Sequence, residues 1–410
     1  MPVNLHFPEN LLSVDGLSLS AVEAGIRYTG RSDLVLMSFA EGTKVSAVFT
    51  KNKCCAAPVA IAKEHLAKSS HDDGDGVRAL LINSGNANAV TGELGLANAK
   101  RSCEVVAQAL LIDAEQVLPF STGVIGEQLN MTALESAIPS AVNSLSDKNW
   151  LDAAKGIMTT DTIPKGASRT IEINGESVTI TGISKGSGMI CPNMATMLAY
   201  VVTDADIDQP QLDELLKRGV DESFNRITVD SDTSTNDALV LAATGKSKAG
   251  KLLTDTEISA FYDCLRSVLV EIATAIIRDG EGATKFVKIE VSSGQNIECC
   301  KTIAYDIAHS PLVKTALFAS DPNWGRILMA LGKSAVESLD MDRVNIAIND
   351  LALISAGQPA PSYTEEAGQQ VFNEAEINIS VELNTGTEAW HVWTSDLSHE
   401  YVSINADYRS

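Results

Sequence analysis

Lys185-Gly-Ser-Gly-Met-Ile-Cys-Pro-Asn-Met-Ala-Thr-Met-Leu-Ala-Tyr-Val-Val-Thr-Asp-Ala205 lies near the middle of a 410-residue chain. Gly186 and Gly188 flank Ser187, and glycine tolerates the positive φ that a tight turn against a ligand or a second backbone requires. Pro192 biases Cys191 toward extended geometry. From Met194 to Val202 the chain is almost wholly apolar, with the Thr196 hydroxyl near its start. That pattern predicts a strand buried on both faces, with a polar atom at its mouth. A lone threonine in a strand is usually structural. At a strand mouth beside a glycine turn, however, its hydroxyl is also placed to act as a nucleophile.

Composition narrows the class. Apolar residues make up 45% and charged residues 20%, with 28 glycines, an ordinary globular balance able to bury a core. The length suggests two or more domains, or one large layered one. A formal charge of −22 argues against a nucleic-acid partner held by electrostatics. No window approaches ~18 uninterrupted apolar residues, so no membrane span is expected, and the start of the chain lacks the pattern of a signal peptide. Seven cysteines, an odd number without a C-x-x-C, fit reduced thiols and a cytoplasmic location better than a disulfide framework or a zinc site. Six histidines show no metal-ligand spacing. His309, near the end of an apolar helix, is either catalytic or, more commonly for such a position, structural. No phosphate-binding glycine motif is present, which leaves nucleotide binding without support.

Along the chain, residues 34–39 and 44–50 read as two strands around Glu41-Gly-Thr, and 56–68 as a helix. The apolar strand 77–83 runs into Ser84-Gly-Asn-Ala-Asn-Ala-Val-Thr-Gly92, either a turn or a loop whose amides line a pocket. A helix covers about 94–111. Residues 116–120 are extended and enter a second glycine turn, Ser121-Thr-Gly-Val-Ile-Gly-Glu127. Thr122 and Gly123 there could supply a hydroxyl and an N–H to a developing oxyanion, although a plain turn or a helix N-cap fits the same residues. Helices at 131–145 and 148–158 lead into Met158-Thr-Thr-Asp-Thr-Ile-Pro-Lys165, a cluster of hydroxyls with an acid and a base. Strands 168–173 and 177–183 return to Lys185.

Beyond Ala205, a helix over 209–220 and a buried strand over 237–243 precede the capping box Thr254-x-x-Glu257. The long helix it opens presents Ile258, Tyr262, Leu265, Leu269, Ile272 and Ile276 on one face and ends near Arg278, with Gly280 as its C′ residue. Glu281 then lies between two glycines in a loop. A strand over 285–291, a helix over 302–318, a sharp turn at Asp321-Pro-Asn-Trp-Gly-Arg326 into another helix, and strands near 343–348, 375–383 and 389–395 follow. Asp72-Asp-Gly-Asp-Gly76 reads as a surface loop without the calcium-loop pattern. Helices grouped between strand pairs predict a layered α+β, αββα-type arrangement rather than a doubly wound sheet.

Six motifs together resemble the ornithine acetyltransferases of arginine biosynthesis, also called glutamate N-acetyltransferases. They are Lys185-Gly-Ser-Gly-Met-Ile, Pro-Asn-Met-Ala-Thr-Met-Leu198, Thr159-Thr-Asp-Thr162, Arg278-Asp-Gly-Glu-Gly-Ala-Thr284, Asp321-Pro-Asn-Trp-Gly-Arg326 and the terminal Ile404-Asn-Ala-Asp-Tyr-Arg-Ser410. The resemblance implies an αββα sandwich with a smaller C-terminal α/β portion. It implies a precursor that cleaves itself at Ala195–Thr196 into an alpha chain, 1–195, and a beta chain, 196–410, that begins with the nucleophile. Thr122 and Gly123 match the family's oxyanion hole; Thr159, Lys185, Thr196, Glu281, Asn405 and Ser410 match its substrate-contacting positions. Ser410 keeps the hydroxyl of the more usual threonine and lacks its methyl. The implied reaction is acetyl transfer from N2-acetylornithine to glutamate by double displacement, with no cofactor and no metal, and with acetyl-CoA as a further donor in some members. The implied assembly is a heterotetramer of two alpha and two beta chains. Two other readings stay open: an N-terminal-nucleophile amidohydrolase or aminopeptidase with water as acceptor, and an uncleaved amino-acid-binding protein.

Overall fold

A computed structural model describes residues 2–69, 76–191, 197–252, 254–337 and 339–407. The chain divides into a larger unit, Phe7–Asn225 with Asp232–Ile276, and a smaller one, Met1–His6, Arg226–Ser231 and Ile277–Ser410.

Two sheets form the centre of the larger unit. One has the order β1 (Leu17–Val22), β2 (Leu34–Phe39), β4 (Ala79–Asn86), β5 (Val117–Val124). The other runs β3 (Lys44–Phe49), β10 (Ala238–Ala243), β8 (Leu198–Thr203), β7 (Glu176–Lys185), β6 (Lys165–Ile173). Strand side chains alternate between faces. Leu198, Tyr200 and Val202 of β8 therefore join Val240 of β10, Met37 of β2, Ile82 of β4 and Phe120 of β5 in one core between the sheets. Leu34, Leu36 and Leu81 point the other way, against α1 (Ala57–Ser69), α2 (Gly92–Leu110) and α3 (Met131–Asn143), through Ile61, Val106 and Ile138. The outer face of the five-stranded sheet is covered by α6 (Asp255–Arg278). A Cβ added to Gly182 of β7 would meet Ile272 and Val268 of that helix at 3.2 and 3.3 Å. The α5 helix (Gln209–Glu222) packs on α6 where Gly219 admits Leu269. These are the four layers that the grouping of helices predicts. They explain why β8 and β10 read as unbroken apolar runs, since both of their faces are buried.

The strands either side of Glu41-Gly-Thr do not pair with each other. β2 lies antiparallel to β1 and β4, and β3 lies antiparallel to β10, so the connection steps from one sheet to the other. The capping box opening α6 is present, with Glu257 N donating to Thr254 Oγ1 at 3.2 Å and Thr254 N to Glu257 Oε2 at 2.9 Å.

The smaller unit holds a seven-stranded sheet of order β14 (Gln358–Pro359), β13 (Leu351–Ser355), β12 (Asn345–Ile348), β15 (Glu376–Glu382), β11 (Phe286–Gly294), β16 (Glu388–Ser395), β9 (Ile227–Thr228). Ile377, Ile379 and Val381 of β15 alternate with less buried residues and pack with Ile303, Ile307 and Leu331 from its helices. The helix expected over 302–318 is two, α7 (Ile297–Ala308) and α8 (Pro311–Phe318). Pro311 cannot continue the first, and Ser310 caps the second by accepting from Val313 N at 3.4 Å. After α6 the left-handed glycine is Gly282, at φ +67, rather than Gly280. Three helices complete the unit: α9 (Gly325–Gly332), α10 (Glu365–Phe372) and α11 (His399–Ala406). The last two have no counterpart in the sequence reading. The acidic surface loop expected at 72–76 falls almost wholly outside the described residues.

The Phe120 and Tyr200 rings meet edge to face at 5.4 Å across the two sheets. Phe120→Ala is expected to lower the unfolding free energy by roughly 3–5 kcal/mol in urea titrations, the usual cost of removing a buried aromatic.

Candidate active site

Asp161 links two of the predicted segments of the larger unit, Thr159 and the turn that follows Lys185, and not Thr122 or Gly123, which lie in β5. Its side chain is fully buried and accepts from Lys165 Nζ at 2.5 Å and Gly186 N at 2.7 Å through Oδ1, and from Thr159 N at 3.0 Å through Oδ2. Burial alone would raise its pKa. The charges of Lys165 and Lys185 and the Gly186 N–H outweigh that and bring it from 3.8 down to about 2. The Thr160 and Ser187 hydroxyls, 2.6 Å apart, make a second tie between the same two segments. The hydroxyl cluster at 159–162 and the glycine turn at 186–188 are thus held together by one carboxylate and one hydroxyl pair.

Lys185 ends β7 and stands opposite Leu198 of β8, whose parallel neighbour on its other side is Ala238 of β10. Leu198 is two residues from Thr196 in sequence, so Lys185 marks the sheet end at which β8 begins. Asp237, just before β10, is buried there, and among the described residues its Oδ2 has no hydrogen-bond partner. Burial pushes this carboxyl well above the ordinary range despite the nearby Lys185 charge.

Thr122 and Gly123 do not form a turn. They lie within β5, paired in parallel with β4 beside a register shift at Gly85 and Asn86. Gly123 has φ +134, and a Cβ there would fall 2.2 Å from the Gly85 carbonyl carbon. The two backbones close to this distance because Gly123 carries no side chain, whereas a Cβ on Gly85 would face Arg27 and Tyr28 instead. Ser84-Gly85-Asn86 likewise continues β4. The amides beyond it cross-link backbone instead of lying open: Asn86 Nδ2 donates to Glu127 O at 3.2 Å, and Asn88 Nδ2 to Gly95 O at 3.0 Å.

In the smaller unit, the buried Glu281 accepts from Asn405 Nδ2 of α11 at 2.7 Å, so these two predicted residues meet. The loop is anchored by Asp396, which takes Thr284 N at 2.8 Å, Thr284 Oγ1 at 2.6 Å and Lys285 N at 2.9 Å. Gly282 admits the start of α11, since a Cβ there would lie 2.5 Å from Ser398 Oγ and 2.6 Å from Tyr401 N. Tyr401 Oη donates to Asp230 Oδ2 at 3.1 Å. Ala195, Thr196 and Ser410 lie outside the described residues.

His309 has a structural setting. Its Nε2 is 3.0 Å from Thr228 Oγ1, and burial, together with the Lys314 charge, lowers its pKa from 6.5 to about 4. Among the described residues no cluster of His, Cys, Asp and Glu could hold a metal ion, and no helix is long and apolar enough to cross a membrane. Sequence reasoning placed Asp161 in a motif and Asp237 at the start of a buried strand, and gave neither of them, nor Asn236, a role. The available signal was an isolated polar stretch, residues 230–237, running directly into a buried strand.

Hydroxyls and a lysine are thus held at one sheet end by a buried carboxylate in a four-layer sandwich. The sequence model described as the ArgJ family matches residues 18–410, and the chain belongs to that family. It is 51% identical over 416 residues to the arginine biosynthesis bifunctional protein ArgJ of Pseudomonas syringae pv. tomato, covering 100% of both chains. The ArgJ protein of Pseudomonas fluorescens is 49% identical over 417 residues, again with 100% of each chain covered. A crystal structure of the ArgJ protein from Bacillus halodurans shares 39% identity over 50% of this chain and 97% of its own, with a TM-score of 0.48.

Asp161→Ala leaves Lys165 buried without its carboxylate, and a loss of roughly 3–5 kcal/mol is expected in chemical unfolding. Because the folded pKa of Asp161 is depressed, its ionised form contributes stability above pH 3.8 that is lost as pH falls through about 2. His309 acts at higher pH. It is neutral in the fold, so its contribution is complete above pH 6.5 and disappears as pH falls toward 4. Melting temperatures of the wild type and His309→Gln should converge on acidification across that window, with a pH-dependent difference of roughly 1–2 kcal/mol.

Proposed function

We propose that the protein transfers the acetyl group of N2-acetylornithine to glutamate through an ester on Thr196, after its precursor cleaves itself between Ala195 and Thr196. The observation that carries this reading is membership of the ArgJ family over residues 18–410. The setting of Lys185, opposite Leu198 at the end where β8 begins, supports it.

A threonine hydroxyl needs a base to become a nucleophile. Cleavage supplies one in the new α-amine of Thr196, whose pKa of roughly 7.7–8.0 leaves a neutral fraction near neutral pH. The hydroxyl oxygen attacks the acetyl carbonyl while the amine takes its proton. Collapse of the tetrahedral intermediate breaks the bond to the ornithine nitrogen, which recovers that proton and leaves as the free amine. The glutamate amine then attacks the acetyl-threonine ester, and the threonine oxygen is reprotonated as N-acetylglutamate departs. Both tetrahedral intermediates carry an oxyanion. Thr122 and Gly123 are its donors, each worth ~3 kcal/mol of barrier.

By family membership the substrate contacts are Thr159, Lys185, Thr196, Glu281, Asn405 and Ser410. Both substrates carry an α-carboxylate, which Lys185 suits as a point charge. Glu281 suits the ornithine ammonium. Cleaved alpha and beta chains, 1–195 and 196–410, assembled as a heterotetramer, complete the reading, with acetyl-CoA as a second acetyl donor for glutamate.

Thr196→Ala is expected to remain a single chain of 43.5 kDa on denaturing gels and to lose acetyl transfer. A variant that still splits in two removes Thr196 as the nucleophile. Acetyl release from acetylornithine at the same rate with and without glutamate points to water as the acceptor, and to hydrolysis.

A further inference from the structure

Asn236, buried immediately before β10, joins the two sheets of the larger unit with one side chain. Its Nδ2 donates to Ala87 O at 2.6 Å and to Ser121 O at 2.9 Å, and its Oδ1 accepts from Thr235 Oγ1 at 2.6 Å. Both N–H groups of the amide are therefore used, and both acceptors belong to the opposite sheet or to the residue that follows its strand β4. The donor side is itself fixed. Asn236 N donates to Ser234 Oγ at 3.2 Å, Ala56 N to Thr235 O at 3.0 Å, and Thr50 N to Asp237 O at 2.9 Å. The acceptor side is fixed as well, by Ser121 Oγ on Asn83 Oδ1 at 2.5 Å and Ala87 N on Val124 O at 3.0 Å.

The two ends of this link matter for the chemistry. The Ser121 carbonyl shares a rigid peptide plane with the Thr122 nitrogen, so the bond from Asn236 orients the backbone that leads into Thr122 and Gly123. On the other side, Ala238 N donates to Met197 O at 2.9 Å, and Met197 is covalently joined to Thr196. Two hydrogen bonds and a few covalent steps thus connect the backbone of Thr122 to Met197, the residue that follows Thr196 in sequence.

We infer that Asn236 is a positioning residue for acyl transfer, setting the separation between the Thr122–Gly123 segment and the start of β8, two residues after Thr196 in sequence. The inference rests on the acetyl-transfer reading above and adds to it a residue that touches no reacting atom. A misplacement near 1 Å at a reacting centre can cost on the order of 100-fold in rate, so loss of the link is read in kcat more than in substrate affinity.

The test compares Asn236→Ala, Asn236→Asp, Thr122→Ala and the double variant Asn236→Ala/Thr122→Ala, with rates expressed per cleaved chain and melting temperatures measured alongside. Asn236→Ala should lower kcat by about 10- to 100-fold with KM for acetylornithine within about twofold. Asn236→Asp should be lower still, because a carboxylate then faces two carbonyl oxygens. The double variant should fall no more than about threefold below Thr122→Ala alone, because Asn236 acts through the same donors. Should Asn236→Ala fail to accumulate, Asn236→Gln keeps both N–H donors one methylene further out, and the same loss of kcat at unchanged KM is expected. A normal kcat in a folded Asn236 variant, a change confined to KM, or an additive double variant overturns the inference while leaving the acetyl-transfer reading intact. A Thr122→Ala enzyme with normal kcat defeats the oxyanion assignment and the inference together.

Discussion

The ionised Asp161 carboxylate is the constraint on which the larger unit's candidate site depends. A charge taken out of water is costly unless both carboxylate oxygens find donors, and here a lysine and two backbone N–H groups supply them. The donors come from segments that have no reason of their own to meet: the 159–162 cluster, the first residue of β6 and the turn after β7. Satisfying one buried anion therefore fixes the position of Thr159 and the direction in which the chain leaves Lys185. A buried ion pair is weak evidence of stability, because apolar replacements often serve as well. Its value here is geometric, since an apolar contact would not specify which backbone N–H points where.

The sandwich supplies the rest of the arrangement. β4 and β5 of one sheet, and β8 and β10 of the other, are each parallel pairs, so each pair presents like ends together. Gly123 lets the first pair close tightly, and Asn236 ties that pair to the second. In the smaller unit the same logic recurs with different residues. Asp396 gathers backbone and hydroxyl donors of the Glu281 loop, and Gly282 admits α11. Each unit thus uses a buried carboxylate as a local organiser and a glycine as the point of closest approach.

Much of this was legible in the sequence, for identifiable reasons. Residues 198–203 and 238–243 are buried on both faces and so are apolar throughout, which marks them as strands without marking their partners. Partners depend on contacts distant in sequence, and for that reason β2 and β3 looked like neighbours when they belong to different sheets. Ser121–Val124 looked like a turn because glycine usually signals one, whereas Gly123 serves a close strand approach inside a ladder. Pro311 was a readable break that the apolar periodicity of 302–318 concealed. The motifs named Thr159 and Lys185 in the larger unit and, separately, Glu281 and Asn405 in the smaller one. The carboxylate that organises the first two was hidden, because a short polar run carries no sign that its acid will be buried.

β8 is an interior strand, with hydrogen-bonded ladders on both of its edges. A cut just upstream of it would assign β6, β7 and β3 to one polypeptide and β8 and β10 to the other, interleaved within a single sheet. Neither fragment could then complete that sheet alone, because each would present open ladder edges that only the other fills. The two pieces would have to arise from a chain that folds first and is severed afterwards, and their separation would amount to unfolding. Fragments produced from separate messages would thus meet as two unfinished sheets rather than as two subunits.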